Sequence, residues 1–456
     1  MTHELPIDPV LPGLCDALDG AVMRNVFARE LSDSGDHVEA CEVERVKYRP
    51  RRNCTVSYRL RVLRTADGSE YEQRVSARLC PIDDALTRLV RAQRKPQAPS
   101  LAGPSLRLLA AQDMLTWWWP NDSKLAAPRV LADRDRLTTD TVPALVRALG
   151  LGEGARCVDH TQEVVQYVPE SRLTVRLQLT VETSARTTET HRVFGKAGRE
   201  PAAAEAHEIL LQVHGSEASR EGRLHVPRPL LLDAEGGVFW QEGLGGRPLL
   251  DAPIAQSRGL MPELGAQLAA LHSLPLALAR VADAPQQLRQ LQAVAEVMHW
   301  NFPRLRETTE TSARALADGW TRWAALPLRP LHGDLHPRNV LVDGERLSLI
   351  DLDGMRMGPV ELELGSWIAD AISRSVLAGK DPFSDAPAWR ALLQAYGDAR
   401  GAAVDLDALA WATGWSLLVQ RAWRCVVNLK PGRYATVPQL LALVAAFSRP
   451  RAAELL

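Results

Sequence analysis

An internal repeat constrains the fold of this chain more than any other feature of its sequence, because repeated segments form repeated structural units. Residues 46–60 and residues 165–179 match at a constant offset of 119 positions. Among the identical pairs are Tyr48 and Tyr167, Pro50 and Pro169, Thr55 and Thr174, and Val56 and Val175. The identities lie at a turn as well as at apolar positions, which favours a duplication over the alternative of two hairpins that merely share a common pattern.

Each copy of the repeat predicts the same order of elements. A helical segment comes first, at residues 14–30 and again at residues 142–149. Two strands of alternating polarity follow, joined by a turn that contains the proline. A third strand then ends in Arg78 in the first copy and in Lys196 in the second. We therefore predict a duplicated α+β module.

The second half of the chain has a different pattern. Apolar residues recur at helical spacing, as in Leu264, Leu268 and Leu271, and a short β-rich segment at residues 339–353 interrupts this pattern. An α+β chain is therefore predicted, with a β-rich part followed by a helical part. We expect three domains, at residues 1–125, 126–243 and 244–456.

Composition and charge argue against several classes of protein. The formal net charge is −1, so no excess of basic residues favours a nucleic-acid partner or a polybasic membrane surface. No apolar run is long enough to cross a bilayer, and the N-terminal sequence lacks the pattern of a secretory signal. The six cysteines form no CxxC pair, which favours free thiols in a reducing compartment. We expect a cytoplasmic protein without nucleic-acid or membrane partners, and its oligomeric state stays open.

The segment 332–353 carries the residue types that phosphoryl transfer requires. This reaction needs a carboxylate near the attacking hydroxyl group and oxygen ligands for Mg²⁺. Asp334 lies in a predicted loop, Asn339 follows five positions later, and Asp351 ends an apolar strand. A turn at Asp343-Gly344 predicts a hairpin that brings Asn339 and Asp351 to the same end. An ordinary turn followed by an unrelated acid at a strand end does not account for this whole combination.

These residues resemble the catalytic motif of the aminoglycoside phosphotransferase and choline kinase superfamily. The resemblance implies a protein-kinase-like, two-lobed α+β fold, with ATP and Mg²⁺ as cofactors and a small-molecule hydroxyl acceptor. It implies Asp334 as the catalytic base, Asn339 and Asp351 as Mg²⁺ ligands, and Asp353 as a second acid that helps to place metal-bound water. Glu363 stands where the family has an aspartate that ties down the catalytic loop. Two interpretations of Glu363 stay open, a carboxylate that reaches the loop and an ordinary acid at a helix N-terminus.

The resemblance extends to the β-rich part of the second copy. Lys196, at the end of a strand, is similar to the lysine that grips the phosphates of ATP. Glu205, in the following helix, is similar to the glutamate that holds this lysine, and Glu208 is the rival for that role. A lysine on a strand and a glutamate on a helix are common on any surface, so this assignment depends on the catalytic motif downstream.

Two more segments of the second copy resemble the nucleotide site. The turn at residues 168–172 takes the place of the phosphate-covering turn, where Ser171 and Arg172 would meet phosphate. It lacks the glycines of protein kinases, and an ordinary hairpin turn is equally consistent with its sequence. The segment from Gln241 to Gly243 is similar to the hinge whose backbone binds adenine.

The first copy has no such partners. Arg78 stands in the place of Lys196, and nothing after Arg78 resembles a hinge or a catalytic loop. Residues 1–125 therefore look like a degenerate duplicate of the small lobe, which we expect to form an N-terminal cap.

The sequence thus predicts a kinase that phosphorylates a hydroxyl group of a sugar, an aminoglycoside or an amino alcohol. Stretches that mix aromatic and basic residues, at 299–306 and 420–433, favour a neutral or anionic acceptor unless they are merely exposed helix faces. The alternative is a nucleotide-binding pseudokinase or scaffold that acts through a partner protein, but Asp334, Asn339 and Asp351 are all present, which argues against it. A protein kinase is less consistent with the sequence, because the chain lacks an Ala-Pro-Glu segment.

Overall fold

The computed structural model describes residues 6–199, 201–323, 325–429 and 432–456, and residues 430 and 431 of the second basic stretch therefore lie outside the described residues. The chain forms two compact units. The first unit comprises Met1–Ala204, Leu230–Gln241 and Val427–Lys430, and the second comprises Glu205–Pro229, Glu242–Val426 and Pro431–Leu456. Antiparallel sheets dominate the first unit and helices dominate the second, which confirms the predicted α+β fold class. The predicted domain boundaries after residues 125 and 243 stay predictions.

Helices occur in both units. Those up to residue 220 are α1 (Leu14–Leu18), α2 (Gly20–Glu30), α3 (Ile82–Gln93), α4 (Ala127–Ala132), α5 (Arg134–Arg136), α6 (Val142–Leu149), α7 (Ala202–His214) and α8 (Glu217–Arg220). Those that follow are α9 (Ile254–Gly259), α10 (Met261–His272), α11 (Ala284–Asn301), α12 (Arg306–Arg322), α13 (Val360–Leu377), α14 (Ala386–Arg400), α15 (Leu406–Ser416), α16 (Trp423–Val427) and α17 (Val437–Phe447). None of the helices in the described ranges combines the length and the apolar character that a membrane span requires.

The described part of the first unit contains two sheets of five strands with the same strand order. The strands of the first sheet are β1 (His37–Arg49), β2 (Asn53–Leu63), β3 (Glu70–Leu79), β4 (Leu106–Leu109) and β5 (Met114–Trp118). Those of the second sheet are β6 (Arg156–Val168), β7 (Arg172–Glu182), β8 (Thr188–Gly198), β9 (Pro229–Asp233) and β10 (Val238–Glu242). The order is β1-β2-β3-β5-β4 in the first sheet and β6-β7-β8-β10-β9 in the second.

The two sheets also share details of register. Thr55 pairs with Arg78 in the first sheet, and Thr174 pairs with Lys196 in the second. Arg78 and Lys196 therefore occupy the same register position in their sheets. The turns between the first two strands agree as well, because Arg51 and Glu170, again 119 positions apart, both have positive φ, at 57° and 64°.

The second sheet shows why alternating sequences form these strands. In β7 the side chains of Leu173, Val175 and Leu177 are fully buried, while the residues between them are partly exposed. The buried face packs in one core with Leu145 and Leu149 of α6. Each side chain of this size stabilises the fold by about 1.5–3 kcal/mol when it is fully buried, so the alternation fixes which face of the strand points inward.

The second unit combines helices with short strands. These strands are β11 (Arg247–Pro248), β12 (Arg329–Leu331), β13 (Val340–Asp343), β14 (Arg346–Leu349) and β15 (Arg356–Gly358). Side-chain caps fix the start of several helices: the carboxylate of Asp283 accepts a hydrogen bond from Gln286 N at α11, and that of Asp405 accepts one from Ala408 N at α15. A π-helical turn, Leu417–Ala422, joins α15 to α16.

Candidate active site

The predicted catalytic loop lies between a two-stranded sheet and a hairpin of the second unit. β12 leads into the loop and pairs with β15, which follows the predicted metal-binding acids. β13 and β14 form a hairpin that starts with Val340 opposite Leu349. Gly344 occupies its turn with a φ of 62°. The turn is Gly344-Glu345 and not the predicted Asp343-Gly344, so the hairpin is present with its turn one residue later.

This hairpin brings Asn339 and Asp351 to the same end. Ile350 N donates a hydrogen bond to Asn339 O at 3.0 Å, which extends the pairing past the ends of the strands. Asp351 follows directly with a φ of 66°, a left-handed conformation that aspartate adopts more readily than most residues. Asn339 Nδ2 donates to the carbonyl oxygen of Asp334 at 3.0 Å, so Oδ1 is the amide atom that a cation would use.

The donor atoms at this end of the hairpin suit Mg²⁺. Asn339, Asp351 and Asp353 carry amide and carboxylate oxygens, which are the hard ligands that Mg²⁺ prefers, and this ion keeps several waters when it binds. In the described residues, no cluster of three or more His, Cys, Asp and Glu side chains is arranged to hold a metal ion. The candidate set differs from such a cluster because one of its three members is an amide.

Gly333 and His332 fasten the catalytic loop to the segment that contains Asp351. Gly333 has a φ of 84°, and a Cβ atom there would lie 2.0 Å from the carbonyl oxygen of Gly354. Only glycine allows the two backbones to approach so closely. His332 Nε2 lies 2.8 Å from the carbonyl oxygen of Ile350, at the end of the hairpin. The loop and the predicted metal-binding segment are thus held as one piece of backbone.

Glu363, on α13, reaches the catalytic loop. Its carboxylate accepts hydrogen bonds from His332 N at 2.9 Å and from Gly333 N at 2.8 Å. Burial alone would raise the pKa of Glu363, but hydrogen bonding to His272, the charges of His272 and His332, and the Gly333 N–H group lower it to about 2. Of the two interpretations that the sequence left open, the geometry favours a carboxylate that anchors the loop.

A buried chain of side chains supports this anchor. Tyr396 Oη lies 2.9 Å from His272 Nδ1, and His272 Nε2 lies 2.9 Å from Glu363 Oε2. Arg400 donates to Tyr396 Oη at 2.9 Å, so Tyr396 connects Arg400 to the ring of His272. The sequence alone does not connect His272 to Glu363, which lies 91 positions away.

The carboxylate of Asp334 has basic neighbours. Arg424 Nη2 lies 3.4 Å from Asp334 Oδ1, and His336 Nε2 lies 3.9 Å from Asp334 Oδ2. The side chain of Asp334 is 31 % exposed, so the carboxylate remains accessible to a small molecule. Burial lowers the pKa of His336, with smaller opposing effects from Asp334 and Asp370, and this favours the neutral ring.

The π-helical turn before α16 positions a second arginine near this site. Arg421 is buried and pairs with Asp370 at 2.9 Å, and Arg374 pairs with the other oxygen of Asp370 at 2.8 Å. Burial opposes the charge of Asp370, but Arg421 and Arg374 outweigh it and lower the pKa of this carboxyl group. Both carboxylate oxygens of Asp370 are thus paired with arginines, Arg421 and Arg374. Arg424 instead directs its guanidinium group to Asp334.

Of the predicted nucleotide-binding residues, Lys196 lies in the first unit and Glu205 in the second. Lys196 is buried at the end of β8, with Nζ 5.9 Å from the centroid of the Phe239 ring. The Glu205 carboxylate lies 2.5 Å from Arg280 Nη2, and Arg280 Nη1 donates to the carbonyl oxygen of Asp353 at 2.8 Å. The pairing of Lys196 with Glu205 stays a prediction. The sequence had not indicated that Arg280 would link Glu205 to the predicted metal-binding segment.

The predicted phosphate-covering turn is a tight turn between β6 and β7. Ser171 N donates to the carbonyl oxygen of Val168 at 3.0 Å. Glu170, at the tip, is buried and pairs with Lys124 at 2.8 Å and with Arg78. The sequence does not indicate these partners, because Glu170 has the pattern of an exposed turn residue.

The predicted hinge begins in a strand. Gln241 is buried in β10, and Gly243 follows the end of that strand. Glu242 N donates to the carbonyl oxygen of Arg228 at 2.9 Å. The adenine-binding role of Gln241 and Gly243 stays a prediction.

Comparison with known proteins assigns the chain to a family. The model of the APH family, described as a phosphotransferase enzyme family, matches residues 178–412, which is more than half of the chain. The match spans β8, the predicted hinge, the predicted catalytic loop and the hairpin described above. The chain therefore belongs to the APH phosphotransferase family. This membership confirms the resemblance inferred from the sequence motifs and the prediction of a small-molecule kinase.

Solved structures that are similar to this chain include two groups of kinases. A choline kinase from Cryptosporidium parvum Iowa II has 10% identity and a TM-score of 0.46, and covers 69% of this chain and 95% of its own. A choline/ethanolamine kinase family protein from Mesorhizobium loti has 16% identity and a TM-score of 0.41, with 70% and 97% covered. The aminoglycoside phosphotransferase APH(3'')-Id from Streptomyces rimosus ATCC10970 has 17% identity and a TM-score of 0.38, with 61% and 97% covered. All three TM-scores lie below 0.5, so the assignment rests on the family model. None of the curated proteins compared with the chain matches it.

Proposed function

We propose that this protein is an ATP- and Mg²⁺-dependent phosphotransferase that phosphorylates a hydroxyl group of a small molecule, with Asp334 as the base. One observation carries the proposal. The catalytic loop is fastened to Glu363 by two backbone hydrogen bonds, and it presents Asp334 beside a hairpin end that holds Asn339 and Asp351. Phosphoryl transfer depends mainly on positioning and on electrostatic stabilisation, and a rigid loop beside a hard-oxygen cation site provides both.

In this proposal each residue of the loop has a separate task. The carboxylate of Asp334 orients the acceptor hydroxyl group and accepts its proton. Asn339, Asp351 and Asp353 would hold Mg²⁺, which neutralises charge on the phosphates when it is bound. Asn339 also keeps its Nδ2 on the loop backbone, so one side chain couples the position of the base to that of the cation.

The nucleotide would be held by the β-rich unit and the hinge. Lys196 would contact the phosphates, with Glu205 as the residue that orients it. Ser171 lies in the turn that would cover the phosphates. The backbone from Gln241 to Gly243 would hydrogen-bond adenine.

The charges around Asp334 favour a neutral or anionic acceptor. Arg424 lies within 3.4 Å of the proposed base. Arg421 lies nearby, and Asp370 is already paired with it and with Arg374. A cationic acceptor such as an aminoglycoside would meet a repulsive guanidinium group at the point where its hydroxyl group must approach. A sugar, or a hydroxyl compound that carries a carboxylate or phosphate, would not.

The experiment that tests the proposal separates nucleotide binding from turnover. Thermal unfolding is measured with and without MgATP, in parallel with MgGTP, on wild type and on Asp351→Asn and Asp334→Asn. A ligand at about 100 times its Kd stabilises the folded state by about 2.7 kcal/mol. We expect that stabilisation in wild type and in Asp334→Asn, and its loss in Asp351→Asn. Asp343→Asn is the matched control, because Asp343 is exposed in the same hairpin.

Turnover is then measured on a panel of sugars, sugar acids, amino alcohols and aminoglycosides. We expect Asp334→Asn to bind MgATP and to phosphorylate none of them. Binding of MgATP by wild type without turnover of any acceptor would favour the alternative of a nucleotide-binding scaffold. No response of wild type to either nucleotide would contradict the nucleotide site itself.

A further inference from the structure

The two modules of the first unit use the same clamp to hold the turn between their first two strands. In the first module Asp8 Oδ2 accepts hydrogen bonds from Tyr48 Oη at 2.8 Å and from Arg51 N at 2.7 Å. For the turn of the second module, Asp122 Oδ2 accepts them from Tyr167 Oη at 2.6 Å and from Glu170 N at 2.9 Å. Both aspartates are buried, and each lies in the segment that leads into the first helix of a module.

This equivalence extends the repeat beyond the segments that the sequence identified. Tyr48 and Tyr167, and Arg51 and Glu170, are each separated by the same 119 positions. Each aspartate also accepts a hydrogen bond on Oδ1 from the backbone N–H two residues later, at Val10 and at Lys124. Two unrelated hairpins with a common pattern would not share a buried aspartate, a tyrosine and a turn amide in the same geometry.

The two modules carry different cationic residues at the end of the third strand. Lys196 is the proposed phosphate ligand of the second module, and Arg78 occupies the same register position in the first. Arg78 retains a cation at that position, and its partner is the carboxylate of Glu170. An arginine of the first module thus binds an anion that belongs to the turn of the second.

The turn is held on three sides at Glu170. Its N–H group donates to Asp122, its carbonyl oxygen accepts from Arg199 Nε at 2.6 Å, and its carboxylate meets Arg78 and Lys124. The side chains of Arg78 and Glu170 are only 8 % and 10 % exposed. Because the pair is largely out of solvent, it constrains the turn more than a surface ion pair would.

We propose that the first module is a duplicate of the nucleotide-binding module that has kept its anion-binding position, and that Arg78 uses this position to hold the phosphate-covering turn of the second module through Glu170. The inference rests on the proposed function, since it concerns how that turn meets the phosphates of ATP. Arg78 and Glu170 are positioning residues in this scheme. They act through the backbone of residues 168–172, which the phosphates would contact.

The charge around the turn is consistent with this role. Lys47 interacts electrostatically with Glu170 and with the cations Arg49, Arg199 and Lys124. Burial lowers the pKa of Lys47, and the neighbouring cations Arg49, Arg199 and Lys124 lower it further, more than Glu170 raises it. The carboxylate of Glu170 therefore fixes the turn, while the surrounding cations still outnumber it and give the turn a positive potential that would attract phosphates.

The test compares the affinity for MgATP with the affinity for adenosine, which lacks phosphates. Both are titrated by calorimetry into the full chain as wild type, Arg78→Met, Arg78→Lys and Glu170→Gln. We expect Arg78→Met and Glu170→Gln to weaken MgATP binding by about tenfold, because an unfixed turn must be ordered on binding. Adenosine affinity should not change. Arg78→Lys should bind MgATP nearly as wild type does, because it keeps the cation.

Arg107→Met is the matched control. Arg107 also pairs with a glutamate, Glu30, at 2.8 Å in the first module, but its side chain is 59 % exposed and lies away from the turn. We expect no change in either affinity. Glu170→Gln keeps the two hydrogen bonds that the backbone of residue 170 makes with Asp122 and Arg199. If Arg78→Met does not fold, the MgATP affinity of Glu170→Gln therefore tests the inference.

Two results would overturn the inference. One is unchanged MgATP affinity in Glu170→Gln and Arg78→Met. The other is an equal loss for MgATP and adenosine, which would indicate general damage to the unit. If wild type binds neither MgATP nor adenosine, the proposed function itself is contradicted. If wild type binds both and the variants have the same affinities as wild type, only the role of Arg78 is contradicted.

Discussion

The imidazole Nε2 of His272 lies 2.9 Å from the carboxylate of Glu363, and both side chains are excluded from solvent. His272 thereby fixes the carboxylate that receives the backbone N–H groups of His332 and Gly333. The catalytic loop depends on this pair, because a buried backbone N–H group without a partner costs about 1–3 kcal/mol.

The first prediction concerns Glu363→Gln. The amide offers one acceptor oxygen where the carboxylate offers two, so one of the two loop N–H groups loses its partner. We expect the free energy of unfolding to fall by about 1–3 kcal/mol. We also expect kcat to fall by about tenfold to a hundredfold, since small displacements of a catalytic group have effects of this size. Urea unfolding and steady-state kinetics measure the two effects.

Glu361→Gln is the control for this variant. Glu361 is buried on the same helix, and burial raises the pKa of its carboxyl group, so neutralising it removes little favourable interaction. We expect its stability to change by less than about 1 kcal/mol, with kcat unchanged. Equal losses in the two variants would show that the effect comes from any charge removed from α13 and not from the loop anchor.

The second prediction is the pH dependence that follows from Glu363. Its carboxyl group has an ordinary pKa of 4.5 and a folded-state pKa of about 2, held down against burial by His272, His332 and the Gly333 N–H group. A lowered pKa stabilises the folded state fully above 4.5, and this contribution is lost as the pH falls through about 2. Its full size is roughly 3 kcal/mol.

The measurement is urea unfolding of wild type and Glu363→Gln from pH 7 downward. We expect the stability difference between them to be constant above the ordinary pKa and to narrow steadily below it. A difference that stays the same down to pH 3 would contradict the lowered pKa of Glu363. Comparison of the two proteins at each pH cancels the titration of the groups that do not interact with Glu363.

Local patterns in the sequence were sufficient to predict the hairpin that carries Asn339 and Asp351. A turn with glycine between two short apolar strands specifies a hairpin by itself, and the hairpin alone decides that these two residues meet. The same holds for the equivalence of Arg78 and Lys196, which follows from strands of matched length and register. The turn was misplaced by one residue, because Asp343 and Glu345 are both acceptable neighbours for Gly344.

The contacts that the sequence did not predict join residues that lie far apart in the chain. Asp122 holds the turn at Glu170 from 48 positions away, and Arg424 reaches Asp334 from 90 positions away. No periodicity encodes such contacts, because they arise only when packing brings distant elements together. Whether Glu363 contacts the loop was left open for a similar reason. Glutamate is one methylene group longer than aspartate, and only the packed structure shows whether its carboxylate then reaches the loop.

The third prediction concerns Arg424 and the charge of the acceptor. We expect wild type to phosphorylate gluconate or glucose with a higher kcat/KM than glucosamine, because Arg424 faces the carboxylate of Asp334. Arg424→Glu should reverse the order by favouring the cationic amino sugar. Initial rates on these three matched compounds measure the preference. Wild-type preference for glucosamine, unchanged in Arg424→Glu, would exclude this role.

Arg306→Glu is the control for the charge reversal. Arg306 lies in the other basic stretch, and its side chain is 67 % exposed and paired with Glu310 at 2.7 Å on the same helix. The overall charge of the two variants is identical, so long-range attraction of the acceptor changes equally. We expect the order of preference to remain that of wild type in Arg306→Glu.

The fourth prediction concerns Arg280, which joins Glu205 to the carbonyl oxygen of Asp353. The side chains of Arg280 and Glu205 are 44 % and 46 % exposed, so the ion pair contributes at most about 1 kcal/mol to stability. Its effect on catalysis should be larger, because Arg280 fixes the backbone next to a proposed metal ligand. We expect Arg280→Met to unfold almost as wild type does and to lower kcat/KM for MgATP by about threefold to tenfold.

Arg258→Met provides a closely matched comparison. Arg258 pairs with Asp385 at 3.0 Å and donates to the carbonyl oxygen of Ser384 at 3.2 Å, with a side chain that is 46 % exposed. It therefore makes the same kinds of contact at the same exposure, but away from the hairpin end. If both variants lose activity to the same extent, the contact between Arg280 and Asp353 has no special role. If only Arg280→Met does, the position of the Asp353 backbone limits how well the site uses MgATP.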